Sequence, residues 1–336
     1  MKISIGSKII EGPWGGGNLF VINLKNFLMS KGHDVIHHLD DDDIDIILMT
    51  SPNHKAESSS FGYKDIYKYI KKIKSDSIVV HRINECDERK GTKNVNKFIL
   101  NSNRVADATI FVSSWIESLY LNQGFNSENS RVILSGSDKE IFNRDNQNIW
   151  DQRSQLKIVT HHWGNNWNKG FEIYSKLDKM IYNNELGLDI KFTYIGNVPK
   201  NFNFKTSTLL SPISGIELAE KLKDNHIYLT ASLFEPSGNH HIEGAQCGLP
   251  LLFVNSGGLP EYCNGYGVMF ENNDFNNKLL YLIKNYENYL NKVRKYPRNS
   301  EIMSRDYLNY FEELLKSKNQ IIEKRQNLKL KSFLNI

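Results

Sequence analysis

The chain has little cysteine, no long hydrophobic run and almost no excess of one charge sign. Its three cysteines, Cys86, Cys247 and Cys263, are odd in number and far apart. That excludes a disulfide framework and the paired spacing of a zinc site, so they read as reduced, structural residues. No apolar run is long enough to span a bilayer. The opening Met-Lys-Ile-Ser-Ile-Gly reads as a strand entering a glycine turn, without the longer apolar core of a signal peptide, so a cytoplasmic protein is expected. With 42 basic and 38 acidic residues the net charge is +4. Between Lys316 and Lys331 six basic residues meet one acid, about +5, which leaves the rest of the chain near neutral. That surplus has no interleaved aromatics, which argues against nucleic-acid binding; the tail 316–331 is instead expected to be dispensable for folding and to contribute a peripheral contact with a membrane or acceptor.

What is present is an ordinary globular composition, 40% apolar and 24% charged, over 336 residues, a length that suits two domains. Short β-type runs alternate with helical patterns throughout, the signature of α/β architecture with parallel sheets. Strands are expected at 2–7, 35–38, 44–49, 78–81, 108–112 and 131–134 in the first half. Leu19–Ser30 is a helix stopped by Gly32. A polar stretch, 145–155, reads as a linker. Strands at 156–161, 190–195, 227–231 and 251–254 then alternate with helices at 170–183, 215–223 and 240–247. Helices near 276–291 and 304–317 precede the basic tail. Domains are therefore expected at 1–150 and 151–300, with 301–336 a terminal helix packing back on the first domain, followed by the tail. In Tyr63–Lys74, Ile66, Tyr69, Ile70 and Ile73 fall at helical spacing with lysines between them. This is a surface helix with a solvated lysine face, or, alternatively, a contact for an anionic membrane or acidic acceptor.

The chemistry concentrates in Glu235-Pro-Ser-Gly-Asn-His-His-Ile-Glu243, where two carboxylates with seven residues between them flank a turn. The turn follows the apolar run 227–234 and opens a helix. Ligands of open α/β sheets bind beyond the carboxyl ends of strands, and a helix N-terminus there offers free N–H groups to an anion. A phosphorylated, polyhydroxylated ligand is the natural occupant. Lys169, at the start of the first helix after the linker, can neutralise a diphosphate as a point charge. The loop Gly12-Pro-Trp-Gly-Gly-Gly-Asn18 lets the backbone approach a ligand closely, but it is neither a dinucleotide fingerprint nor a P-loop. His161 and His162 read as a strand-end pair, since no carboxylate or third histidine sits at ligand spacing, and no metal site is expected.

Together these residues resemble glycosyltransferase family 4, the retaining, metal-independent transferases of the GT-B fold. The resemblance runs from Gly15-Gly-Gly through Gly32-His-Asp-Val, Ser113-Ser-Trp and Gly136-Ser-Asp138 to Lys169-Gly170. It continues in Glu235-Pro-Ser-Gly, Glu243-Gly-Ala-Gln-Cys-Gly-Leu-Pro and Gly257-Gly-Leu-Pro-Glu261. It implies two doubly wound Rossmann-like domains facing a cleft, the first on the acceptor side and the second binding a UDP- or GDP-sugar. It further implies that Glu235 contacts the donor sugar and Glu243 the ribose. The amides of Gly238, Asn239 and His240 would face the diphosphate with Lys169 and the Gly16-Gly17 loop. Glu235 and Lys169 are the expected catalytic pair, with no cofactor beyond the donor. The implied acceptor is a glycan, a lipid-linked sugar or a protein. Two positions depart from the family. Gly164 stands where many members have a phosphate-clamp arginine, which leaves Asn166 or Arg82 to substitute, and Asn84 stands where many have an acceptor-side histidine, with His81 and Arg82 nearby. The alternatives are a sugar-nucleotide hydrolase or epimerase on the same fold, and a non-catalytic sugar-nucleotide-binding subunit.

Overall fold

In a computed structural model the described residues are 1–10, 15–126 and 128–332, with the side chains of 326–332 excepted. Gly12, Pro13 and Trp14 of the expected glycine loop lie outside them. The chain begins β1 (Lys2–Ile5), α1 (Gly15–Ser30), β2 (Asp34–Ile36), β3 (Ile46–Met49), α2 (Tyr63–Lys72), β4 (Ile78–Ile83), α3 (Asp87–Lys90) and α4 (Val95–Asn103). It continues β5 (Ala108–Phe111), α5 (Ser114–Leu121), β6 (Ser130–Val132), β7 (Leu156–His162), α6 (Phe171–Tyr182), β8 (Ile190–Gly196), β9 (Thr208–Leu210) and α7 (Gly215–Lys223). Then come β10 (Ile227–Thr230), α8 (Asn239–Gln246), β11 (Leu251–Val254), α9 (Leu259–Cys263), β12 (Gly267–Phe270), α10 (Phe275–Lys284), α11 (Tyr286–Val293), α12 (Ser300–Lys316) and α13 (Lys318–Ser332).

The strands form two six-stranded parallel sheets, ordered β2-β1-β3-β4-β5-β6 and β12-β11-β10-β7-β8-β9. The chain divides into two compact units, one of residues 1–10, 17–134 and 301–336, the other of 11–16 and 135–300. The division falls at Ser135, not in the polar stretch 145–155. That stretch is anchored in the second unit by Trp150, whose indole N–H donates to the Ser154 carbonyl and whose ring packs edge-on against Tyr286 at 5.5 Å.

In the first unit alternate residues of β3 feed opposite faces of the sheet, as a pleated strand requires. Ile46 and Leu48 join a core with Phe20, Val21 and Leu24 of α1 and Met303, Tyr307, Phe311 and Leu314 of α12. Ile47 and Met49 join another with Ile66, Tyr69 and Ile70 of α2. Helices cover both faces, as for a doubly wound sheet.

Several elements differ from the expectations. The short strands β9 and β12 and the helices α4 and α5 lie in stretches with no expected element. β9 has no buried residue and β12 has an exposed and a half-buried one, so neither reads as an apolar run. The helix expected over 276–291 is broken at Asn285. Gly15, Gly16 and Gly17, expected in a loop, form the first turn of α1, where N–H groups need no intrahelical partner. The basic tail is α13, and it is built into the first unit. Its Arg325 is buried, donating to Asp107 through Nε at 2.6 Å and to the carbonyls of Ser75 and Ser77 at 2.8 and 2.7 Å. That anchored guanidinium makes the segment from Lys316 part of the first unit and argues against its expected dispensability for folding. Among the described residues no helix is long and apolar enough to cross a membrane.

Candidate functional site

Strand order in the second sheet reverses between β7 and β10, with β8 and β9 continuing on one side and β11 and β12 on the other. The connections leaving two such strands diverge and open a crevice at their carboxyl ends, the place where open α/β sheets bind ligands. Lys169 lies in the connection that leaves β7, and Glu235 and Glu243 in and beyond the connection that leaves β10.

The two connections are tied together by the Leu233 N–H, which donates to the Asn168 carbonyl at 2.7 Å. Gly170 takes φ +105, and a Cβ there would stand 2.7 Å from the Ala231 Cβ, so only glycine permits this approach. Beside it the Lys169 Nζ meets Glu235 Oε2 at 2.6 Å, with both side chains more than nine-tenths buried. Ser232 Oγ donates to the same carboxylate oxygen at 3.1 Å. A buried ion pair of this geometry is held by added hydrogen bonds that satisfy the remaining lone pairs.

The backbone around Glu235 is strained in a way that aims its side chain. Phe234, immediately before it, sits at φ +53, in the left-handed region that bulky residues avoid, and its N–H donates to Ser256 Oγ at 2.9 Å. Gly257 packs directly on Glu235, since a Cβ there would fall 2.5 Å from the Glu235 carbonyl oxygen, and the Gly258 N–H donates to that carbonyl at 2.8 Å. The Gly257-Gly258 segment is thus the backrest of the glutamate.

Gly238, at φ +89, caps the N-terminus of α8. The first-turn N–H groups, those of Asn239 and His240 among them, have no intrahelical partner and carry the positive end of the helix dipole. The His240 ring turns inward, Nε2 lying 2.8 Å from Thr230 Oγ1 and the ring centroid 4.5 Å from that of His162. His162 meets the Tyr174 hydroxyl at 2.7 Å. Burial holds the pKa values of both histidines well below the usual range, so they are neutral wall residues. His241 is fully buried, neither ring nitrogen has a hydrogen-bond partner among the described residues, and burial brings its pKa down to about 3.

Glu243, near the middle of α8, is 4% exposed, and its Oε2 lies 2.7 Å from His161 Nε2. Spacing alone put His161 with no carboxylate; the fold brings one to it from 82 residues along the chain. Gly164, at the clamp position, would place a Cβ 3.4 Å from Lys169 Cε and 3.6 Å from Asn166 Nδ2, so the Asn166 amide lies beside the space a larger side chain would fill. Trp163 and Trp167, in the same connection, are about half exposed.

In the first unit His81 and Arg82 lie in the second half of β4 and Asn84 just beyond its end. His81 Nδ1 meets Asn103 Oδ1 at 2.8 Å, and burial brings the His81 pKa down to about 4. Arg82 stacks its guanidinium 4.0 Å from the Phe20 ring centroid. Gly16 and Gly17 remain at the start of α1. The second unit brings together Lys169, Glu235, Gly238, Asn239, His240 and Glu243; the first holds His81, Arg82 and Asn84 at one strand end. No group of three or more metal-ligating side chains occurs among the described residues.

Two doubly wound parallel sheets of this kind define a GT-B type fold. The chain is similar over 94% of its length to a glycosyltransferase from Rickettsia africae, covering 98% of that chain at 15% identity and a TM-score of 0.66. It is similar over 94% to sucrose-phosphate synthase from Thermosynechococcus elongatus, covering 99% of that chain at 14% identity and a TM-score of 0.65. Similarity to Anabaena HepE in complex with UDP-glucose spans 97% of this chain and 99% of that one, at 12% identity and a TM-score of 0.60. At such identities the likeness concerns the fold. No protein-family model matches the chain, and a search of curated proteins finds no match.

Proposed function

We propose that this chain is a retaining, metal-independent glycosyltransferase of the family 4 type, moving a hexosyl group from a nucleotide-sugar donor to a glycan, lipid-linked or protein acceptor. The observation that carries the reading is the buried Lys169–Glu235 pair at the strand-order reversal, one partner from the connection leaving β7 and one from that leaving β10, beside the helix α8 that carries Glu243. UDP-glucose bound to a structure of the same fold supports the choice of donor class.

In this reading the α8 amides and Lys169 take the diphosphate, and Glu243 takes the ribose. Glu235 accepts from the donor sugar and stabilises the positive charge that develops at its anomeric carbon. The bond from that carbon to the leaving phosphate oxygen breaks as the acceptor oxygen bonds on the same face. The acceptor proton passes to the leaving phosphate, so no side chain need act as a general base. Lys169 supplies the positive charge that a metal supplies in other transferases.

The test is incubation of the purified protein with a panel of sugar nucleotides. Nucleotide release that requires an acceptor supports transfer. Release into water alone supports hydrolysis, and binding without release supports a non-catalytic subunit. The exposed Lys64, Lys68, Lys71 and Lys72 of α2 are proposed to meet an anionic membrane or acceptor surface. Vesicle flotation that is unchanged when all four become glutamine, with the fold intact, would remove that contact.

A further inference from the structure

The geometry points to His161 as the positioning residue that gives the site its preference for ribose, an inference that rests on the role proposed for Glu243. His161 is the penultimate residue of β7 and bonds on three sides. Its Nε2 lies 2.7 Å from Glu243 Oε2, its Nδ1 3.0 Å from the Tyr228 hydroxyl, and its backbone N–H donates to that hydroxyl oxygen at 3.2 Å. The hydroxyl, accepting from the backbone N–H, has two acceptors for its own proton, Nδ1 at 3.0 Å and the His161 carbonyl at 3.5 Å, and the shorter contact favours Nδ1. The ring proton then resides on Nε2 and is donated to the carboxylate.

The tautomer and the carboxylate are therefore fixed by one chain of hydrogen bonds, Tyr228 to His161 to Glu243. The sequence makes room for that chain. A Cβ at residue 244 would fall 2.3 Å from the Tyr228 ring, so Gly244 admits the tyrosine beneath α8 directly after the glutamate. His161 engages only Oε2; no donor among the described residues reaches Glu243 Oε1. Oε1 and the spare lone pair of Oε2 are left to accept from a vicinal pair of hydroxyls, the feature that separates ribose from its deoxy forms. An unheld carboxylate would rotate about its last bond and lose that alignment.

The experiment is calorimetry on the full chain with UDP, GDP and ADP, then with the 2′,3′-dideoxy form of whichever binds tightest. The unaltered protein is expected to prefer the ribose form by about tenfold or more, the effect of a charge-assisted hydrogen bond. His161→Phe, close in shape, and His161→Asn, whose amide cannot stand at the Nε2 position, are expected to bring that preference below about threefold. Their affinity for the dideoxy form should change little. His161→Gln, which can place an N–H near Nε2, is expected to restore most of the preference, and Tyr228→Phe to lose part of it. A merely structural role would lower both affinities together. Full preference in folded His161→Phe and His161→Asn overturns the inference while leaving the proposed function standing. Absence of any nucleotide binding by the unaltered protein overturns both, and binding without ribose preference overturns the role of Glu243 and this inference with it.

Discussion

At the scale of single residues the Lys169–Glu235 pair joins stability to the proposed donor binding. Removing one partner of a buried pair leaves the other charge uncompensated, which costs about 3–5 kcal/mol. Lys169→Ala is therefore expected to lower the denaturant midpoint of the second unit and to weaken donor binding. Adding Glu235→Gln should recover most of the stability and none of the binding; recovery of binding in the double variant would show that Lys169 does not touch the donor. The histidines give a second residue-scale prediction. His241 and His226 have pKa values brought down to about 3 and about 4 by burial, and those of His162 and His240 are also depressed. Each folded value lies below the unfolded one, so the unfolded chain binds the proton first and stability falls as pH drops below about 6.5. The loss is about 1.4 kcal/mol per pH unit for each histidine, until the folded value is reached. Among the described residues His241 has no side-chain hydrogen bond that a substitution would lose. His241→Leu should hold or raise stability at pH 7 and flatten the acid slope by one histidine's share; an unchanged slope in urea titrations between pH 6 and 4.5 would refute this.

Among elements, α13 carries the clearest expectation. Its Arg325 faces Asp107, whose side chain is 4% exposed and also accepts the Val79 N–H at 2.8 Å. Arg325→Ala, or truncation after Ser317, should destabilise the first unit by about 3–5 kcal/mol, read as a lower thermal midpoint. A midpoint equal to that of the intact chain would show α13 to be ornamental. In sequence, this segment is only a run of lysines, because the charge that matters is defined by a buried aspartate more than two hundred residues away. The same limit governs the site. The places of Glu235, Glu243 and Lys169 at a strand end, a helix and a helix start were legible because those elements follow one another locally. The partnership of His161 with Glu243 and Tyr228 was not, because it is made by the parallel pairing of β7 with β10. α4 and α5 escaped because each is short and buries few of its apolar residues, Ile99 in α4 and Ile116 and Tyr120 in α5, in a small local core with Phe125. Among the strands buried on both faces, β3, β10 and β11 were plain from their apolar runs, and β4 from Ile78-Val-Val before its polar His81 and Arg82.

On the scale of the molecule the two units differ in how the chain builds them. Apart from residues 11–16, the second is one continuous segment, 135–300, whereas the first draws on both 17–134 and 301–336. The isolated segment 135–300 is expected to give a cooperative unfolding transition by circular dichroism, and residues 1–134 to give one only when 301–332 is supplied. A cooperative transition in 1–134 alone would contradict the shared core. That core has a temporal side. As the chain leaves the ribosome, β1 to β6 emerge first, yet Met303, Tyr307, Phe311 and Leu314, which cover one face of their sheet, are made after all of the second unit. The earliest-made strands must wait, one face open, while a complete neighbour folds. For about half of synthesis, the period of greatest exposure to chaperones and proteases belongs to the half of the chain that was born first.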